Sequence, residues 1–161
     1  MPDNVIERRF QGAMRDAIRL LIVPVYLLGW LSHVYLGLNS PEVYRAFGQT
    51  ALIPAFSSFW YDVVMPRMAA FALALAAFEL VVGVLLIGKG KWVKIGLALS
   101  ITFNLFLVQL GLAYPAPDGR SDFLVNRLPS LVVIALQIPL FWGQYTSSLP
   151  AVVRGWFQRS R

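Results

Sequence analysis

The stretch MAAFALALAAFELVVGVLLIG, residues 68–88, decides the fold class of this chain. Its one charged side chain is Glu79, and the rest is almost wholly apolar. A helix that crosses the hydrocarbon core of a bilayer needs about 20 such residues. The stretch does not alternate polar with apolar residues, as a strand of a membrane barrel does. It therefore predicts a transmembrane helix.

Three further apolar runs flank this one, at residues 17–38, 95–114 and 128–145. Of the 161 residues, 58% are hydrophobic and 14% are charged, whereas soluble domains average about 45–50% and about 25%. The sequence predicts one all-α membrane domain, residues 1–161, folded as a four-helix bundle. The fourth run is interrupted by Pro139, which makes its ends the hardest to place.

The connections between the predicted helices differ in character. KGKWVK, residues 89–94, is a tight basic hairpin, and YPAPDGRSDFLVNR, residues 114–127, is typical of an irregular turn. Residues 39–67 are only partly polar and contain the aromatic-rich sequence TALIPAFSSFWYDVVMP. Aromatic side chains favour the headgroup layer, so this outer segment is expected to lie at the membrane interface. It either caps the bundle or gates access to a substrate.

The distribution of lysine and arginine predicts the topology. Ten basic residues fall at the N-terminus, the 89–94 hairpin and the C-terminus, and only Arg45, Arg67, Arg120 and Arg127 fall on the other side. The more basic side is normally cytoplasmic. The first sixteen residues are too charged for a cleavable signal peptide. We therefore expect a multi-pass inner (plasma) membrane protein with both termini in the cytoplasm. The net charge of +6 is then a sign of this topology, and we expect no nucleic-acid partner.

Several kinds of chemistry are excluded by composition. The chain has no cysteine and a single histidine, so disulfides, thiolate metal sites and a bis-histidine haem within one subunit are impossible. No dinucleotide-binding glycine loop and no metal-ligand cluster is visible. We therefore predict no catalytic residue, no metal site and no cofactor held by the chain itself, apart from a bound quinone or lipid.

Polar residues inside the predicted spans are the candidates for function, because they are costly to place in lipid. Glu79, Asn104 and Gln137 lie near the centres of the second, third and fourth spans, at similar depth. His33 lies in the first span, nearer the outer surface. Small residues at helical spacing predict the faces on which these helices pack: Gly29, Gly83, Gly96 and Ser100.

Two interpretations of this polar cluster remain open. In the structural one, Glu79 is hydrogen-bonded to Asn104 or Gln137 and fixes helix registry. In the functional one, its carboxyl is kept neutral by burial and donates to a quinone carbonyl or passes on a proton. A lone histidine such as His33 more commonly packs with a hydrogen bond than it ligates haem or chlorophyll.

Residues 19–145 resemble the DoxX-like family of small four-helix membrane proteins. The resemblance rests on Arg19, Gly29 and His33 in the first span, a proline-punctuated outer segment, and FELVVGVLLIG followed by a basic hairpin. It implies a membrane subunit of a redox assembly, with relatives described as parts of thiosulfate–quinone oxidoreductases or as partners of oxidative-stress enzymes.

Three functions are therefore considered. The first is a non-catalytic subunit that anchors or scaffolds a larger redox or photosynthetic membrane complex, with other membrane subunits and the lipid bilayer as partners. The second is a DoxX-like quinone-interacting component of a membrane oxidoreductase, in which Glu79 handles protons. The third, less favoured, is a small transporter or channel subunit.

Overall fold

The structure, a computed structural model, describes the backbone of residues 3–159 and the side chains of residues 11–158. Every regular element in these residues is helical. Four helices are long and apolar enough to cross a membrane: Gln11–Asn39, Pro54–Ile87, Lys91–Leu110 and Gly119–Trp142. The predictions of an all-α chain and of four helices able to span a membrane are confirmed, although the bounds of all four differ.

The first span belongs to helix α1, Asp3–Asn39, which contains the predicted run at residues 17–38. The charged segment before the first predicted span is continuous with this helix. Pro24 lies inside it without ending it. Four basic residues used to predict the topology lie outside the residues whose side chains are described: Arg8, Arg9, Arg159 and Arg161.

The second span begins at Pro54 instead of residue 68. After a 3-10 turn at Pro41–Tyr44, helix α2 covers Arg45–Thr50 and helix α3 covers Pro54–Phe59. Helix α3 continues through a π turn (Trp60–Val64) and a 3-10 turn (Met65–Arg67) into α4, Met68–Ile87. Pro66 has no N–H to donate and its ring crowds the carbonyl four residues earlier. The helix accommodates it by widening, so the outer connection is much shorter than predicted.

The third span, predicted at residues 95–114, is helix α5, Lys91–Leu110. It starts directly after the hairpin and ends early because Gly111 adopts a left-handed backbone, with φ of 89°. Glycine adopts a positive φ without a steric penalty, and a glycine commonly follows the last residue of a helix.

The fourth span, predicted at residues 128–145, runs from α6 (Gly119–Asp122) through a π turn (Phe123–Arg127) to α7, Leu128–Gln137. It closes with a 3-10 turn, Ile138–Trp142, that contains Pro139. The predicted turn therefore becomes helical from Gly119 onward, and again a π turn ends two residues before a proline, Pro129. A last helix, α8 (Leu149–Arg159), was not predicted from the sequence.

The helices pack in sequence: α1 against α4, α4 against α5, and α5 against α7. Two apolar cores result. The larger lies towards the 89–94 hairpin and includes Ile22, Val82, Leu86, Val93, Leu97 and Leu140. The smaller lies beneath the outer segment and includes Tyr44, Trp60, Val64, Met68 and Leu110. The candidate site lies between them.

Large apolar side chains are exposed along α1, including Leu21, Val25, Leu28 and Tyr35. Their spacing of three, four and seven residues places them on one side of the helix. Soluble monomers rarely expose apolar patches of this extent. The exposed face is the one expected of a helix that contacts lipid.

Candidate functional site

The centre of the candidate site is the Glu79 carboxyl on α4, which is only 6% exposed. Its Oε1 atom lies 3.3 Å from Nε2 of His33 on α1. The other ring nitrogen of His33, Nδ1, lies 2.7 Å from the Tyr44 hydroxyl. A carboxyl, an imidazole and a phenol therefore form one chain that links α4, α1 and the outer segment.

The protonation of Tyr44 orients this chain. Burial raises the pKa of the Tyr44 hydroxyl above its usual range, and the negative charge of Glu79 acts in the same direction. The hydroxyl therefore stays protonated near neutral pH. When it donates to Nδ1, a neutral His33 carries its proton on Nε2, and that N–H points at Glu79.

The second carboxyl oxygen of Glu79, Oε2, is buried and has no hydrogen-bond partner. A buried polar atom left unpaired costs about 1–3 kcal/mol, so such atoms are rare in folded proteins. Gly29 provides the space for it, because a Cβ built there would lie 2.6 Å from Oε2. The arrangement leaves room for the oxygen and no protein group to satisfy it.

Glu79 lies on the wall of a cavity of about 580 Å³. The cavity extends from Glu79 and Phe78 towards the outer segment, between α4 and α5, and its lining is almost entirely apolar. Its polar groups belong to Glu79, His33, Tyr44, Trp60 and Thr102, and the rest is mainly aromatic and aliphatic. Ligand sites typically combine an apolar cavity of about 300–1,000 Å³ with a few polar groups that fix orientation.

Asn104 does not contact Glu79 through a hydrogen bond. Its amide donates to the Tyr26 hydroxyl (3.1 Å) and to the Ser100 carbonyl (2.9 Å), and the hydroxyls of Tyr26 and Ser100 are 2.6 Å apart. These three side chains form a second buried cluster, between α1 and α5. The bond from Glu79 to Asn104 or Gln137, which the structural interpretation required, does not form, and Glu79 instead pairs with His33 of α1.

Gln137 is fully buried in α7, and its amide donates to the Val133 carbonyl at 3.2 Å. Its Oε1 atom also lacks a partner, and its side chain does not line the cavity. The structure thus brings Glu79 and His33 together and leaves Gln137 apart. The similar depth of Glu79, Asn104 and Gln137 does not join them by hydrogen bonds.

The predicted packing glycines lie at helix contacts, and Gly83 and Gly96 contact different helices. Gly96 of α5 approaches Leu85 and Leu86 of α4, as a contact between these two helices requires. Gly83 of α4 instead faces Leu27 of α1, where a Cβ would lie 2.6 Å from a Leu27 methyl carbon. Helix α4 therefore presents its small residues and Glu79 to α1 as well as to α5.

Sequence reasoning missed the structural role of Arg19, which it used only as a cytoplasmic charge and as part of the family resemblance. Its side chain is 1% exposed and donates to the carbonyls of Leu86 and Gly88 at the end of α4, at distances of 2.8–3.2 Å. It also pairs with Asp16 at 2.8 Å. The three-residue spacing of Asp16 and Arg19 on one helix was the signal available in the sequence.

Two residues near the outer end were missed in the same way. Arg127 is buried and donates to the backbone carbonyls of Thr50 and Val108 while it pairs with Asp122. Asn126 is fully buried and binds the backbone of Leu112 and Tyr114. Asn126 ties the fourth span to the chain that leaves α5, and Arg127 ties it to carbonyls in the last turns of α2 and α5.

Comparisons with models of known protein families, with curated proteins and with solved structures gave no significant match to this chain.

Proposed function

We propose that this chain is a non-catalytic subunit of an inner-membrane complex that holds a lipophilic molecule of the quinone class in the cavity beside Glu79. The Glu79 carboxyl, which lines an apolar cavity between two spans while its Oε2 atom lies against Gly29 without a partner, is the observation that carries the proposal. A ligand that satisfies this oxygen removes the cost of leaving it unpaired.

The chemistry of the cavity favours an aromatic head group that carries oxygen atoms. A neutral Glu79 whose Oε1 stays beside His33 carries its proton on Oε2, and it donates that proton to a carbonyl when the carboxyl turns towards the cavity. An ionised Glu79 accepts from a hydroxyl at the same position. Quinones and their reduced forms present these two groups on a ring that packs against the surrounding aromatic side chains.

The catalytic part of such an assembly is assigned to a partner. The chain contains no cysteine, and the described residues contain no cluster of three or more histidine, aspartate or glutamate side chains that could hold a metal ion. The proposal makes this chain the subunit that binds and orients the quinone. It makes another subunit the source of electrons, in line with the DoxX-like resemblance.

The proposal includes a membrane orientation. Both termini and Lys91 face the cytoplasm, and the segment from Pro41 to Arg67 covers the outer end of a four-helix bundle at the interface. Because the chain has no cysteine, single Lys91→Cys and Arg120→Cys variants can be labelled in intact cells with a membrane-impermeant maleimide. We expect labelling of Arg120→Cys alone, and labelling of Lys91→Cys from outside would overturn this orientation.

The binding proposal is tested by what copurifies. The wild-type protein, Glu79→Leu and Gln137→Leu are purified from the same membranes in a mild detergent, and extracted lipids are quantified by mass spectrometry. Gln137→Leu is the matched control, since it removes a buried polar group with an unpartnered oxygen that lies away from the cavity. We expect near-stoichiometric quinone in the wild type and Gln137→Leu and little in Glu79→Leu. Equal amounts in all three would contradict the proposal.

The same preparations test the role of subunit. Stoichiometric larger membrane proteins in the wild-type preparation support an accessory role. A homo-oligomer that carries quinone and no other subunit supports a quinone-interacting component that works without a stable partner.

A further inference from the structure

We infer that the ligand reaches Glu79 sideways from the lipid phase, through a portal between α4 and α5 beside Ala74 and Thr102. This inference rests on the proposed function, because it names the route to the same cavity. It also assigns a role to Ala74, which lies five residues before Glu79 in sequence, and to Thr102 on the other helix. No polar contact draws attention to either residue.

The outer segment covers the outer end of the cavity, and of its residues that line the cavity only Phe59 is exposed. Tyr44 and Trp60 are both buried, and the Trp60 indole N–H donates to the Tyr44 carbonyl at 2.8 Å. Phe47 stacks between them, with ring centroids 5.9 Å from Tyr44 and 5.6 Å from Trp60. These side chains separate the cavity from the aqueous side, so a route from water would require this aromatic layer to move.

The inner end is closed by contact between the two spans themselves. The rings of Phe78 on α4 and Phe103 on α5 lie 5.3 Å apart. Beyond them Val82 and Leu97 have no exposed surface, and Gly96 lets α5 approach Leu86 closely. Helix α1 closes the back of the cavity, where His33 meets Glu79.

The side between α4 and α5 remains open. Ala74 and Thr102 both line the cavity, and both are exposed at the surface of the protein. Phe71, one turn from Ala74, is 37% exposed. Ala74 and Thr102 are small and lie within the membrane-spanning helices, so this opening faces hydrocarbon. A quinone that partitions into the bilayer meets the portal directly and leaves its tail in the lipid.

Added bulk at the portal should slow entry without touching Glu79. The probe is decylubiquinone, and the readout is the rate at which it quenches tryptophan fluorescence of the protein in lipid nanodiscs, with Glu79→Leu discs as the background. We expect Ala74→Phe to slow binding at least tenfold. Ala69→Phe is the matched control, because Ala69 is exposed on the same helix but roughly 140° around it from Ala74.

A second design keeps the test valid if Ala74→Phe fails to fold. Thr102→Phe fills the portal from the facing helix. Ala74→Cys, purified in its folded state and then modified with benzyl methanethiosulfonate, adds the bulk reversibly, and mass spectrometry verifies the modification. We expect modification to slow binding and dithiothreitol to restore it.

The outcomes separate the portal from the binding site. One outcome would overturn the portal and leave the proposed function standing. In it, decylubiquinone binds at the wild-type rate to Ala74→Phe, Thr102→Phe and modified Ala74→Cys, while Glu79→Leu still shows no binding. No binding of decylubiquinone to the wild type above the Glu79→Leu background would instead contradict the proposed function, and the portal with it.

Discussion

Arg19 and Glu79 are both charged residues buried inside an apolar helix assembly, yet their surroundings differ. Arg19 has a carboxylate partner and two backbone carbonyls, in a region where the spans are in close contact. Glu79 has one partner for one oxygen, none for the other, and an apolar cavity beside it. A buried charge with a full set of partners holds the fold together, whereas one with an open position is suited to bind a ligand.

The largest effect is expected where the partners are complete. Arg19→Ala leaves the carbonyls of Leu86 and Gly88 and the Asp16 carboxylate without their donor, which should cost about 3 kcal/mol of unfolding free energy. Equilibrium unfolding in mixed micelles measures this loss. Arg15→Ala removes a partly buried arginine of the same helix and serves as the control, with a much smaller expected effect. An equal loss in both variants would show that Arg19 has no special role.

Glu79→Gln should separate the two states of the ligand. The amide oxygen can keep the place of Oε1 beside His33, so the NH₂ group takes the place of Oε2 and can donate to a quinone carbonyl once the side chain turns towards it. It no longer offers a charged acceptor to a hydroxyl, and hydroquinone binding should weaken by about 2 kcal/mol. Titration of oxidised and reduced decylubiquinone measures both affinities. A loss of turnover in the assembled complex beyond this change in affinity would assign proton handling to Glu79, and full turnover would restrict its carboxyl to binding.

Two glycines of α1 sharpen the contrast between binding and packing. Gly29→Ala places a methyl group against the flexible end of Glu79, which can turn away, so ligand binding should weaken about tenfold, or about 1.4 kcal/mol, with little loss of stability. Gly37→Ala places the same methyl group against the Cβ of Ala72, which cannot turn away. It should lower stability and spare the ligand affinity of the folded protein. The reverse pattern would contradict the assignment.

The smallest effect is expected in the second polar cluster. Tyr26→Phe removes the hydroxyl that joins Ser100 and Asn104. Hydrogen bonds between helices in membranes average about 0.6 kcal/mol, and a loss of that size is expected in the same unfolding assay. Ligand affinity should not change, because Tyr26 does not line the cavity. A marked loss of binding would place the two polar clusters in one functional unit.

The sequence predicts the spans well because length and apolarity alone decide whether a helix can cross a membrane. It predicts their ends less well, since π turns let the helices continue past Pro66 and Pro129 and Gly111 ends α5 early. An apolar run indicates which residues can lie in lipid, but it does not indicate the residue at which the helix ends.

The candidate site was predicted only in part, for a physical reason. Depth along a helix can be read from the sequence, but the direction in which a side chain points depends on which helix packs on which face. Glu79 and His33 were both identified, and Gly29 lies one turn from His33, yet their pairing requires α1 to pack on α4. The cavity was not predictable, since it depends on Tyr44, Phe47 and Trp60 folding back over the spans.

The most direct test of the central claim observes the hydrogen bond between Glu79 and the ligand. Decylubiquinone with ¹³C in its carbonyl groups is bound to the protein in nanodiscs, and its carbonyl stretch is isolated by isotope-edited infrared difference spectroscopy. We predict a carbonyl band shifted to lower frequency in the wild type and absent from Glu79→Leu, with Gln137→Leu matching the wild type. A carbonyl band at the frequency of quinone in plain lipid, the same in all three proteins, would contradict the assignment of this cavity to the ligand.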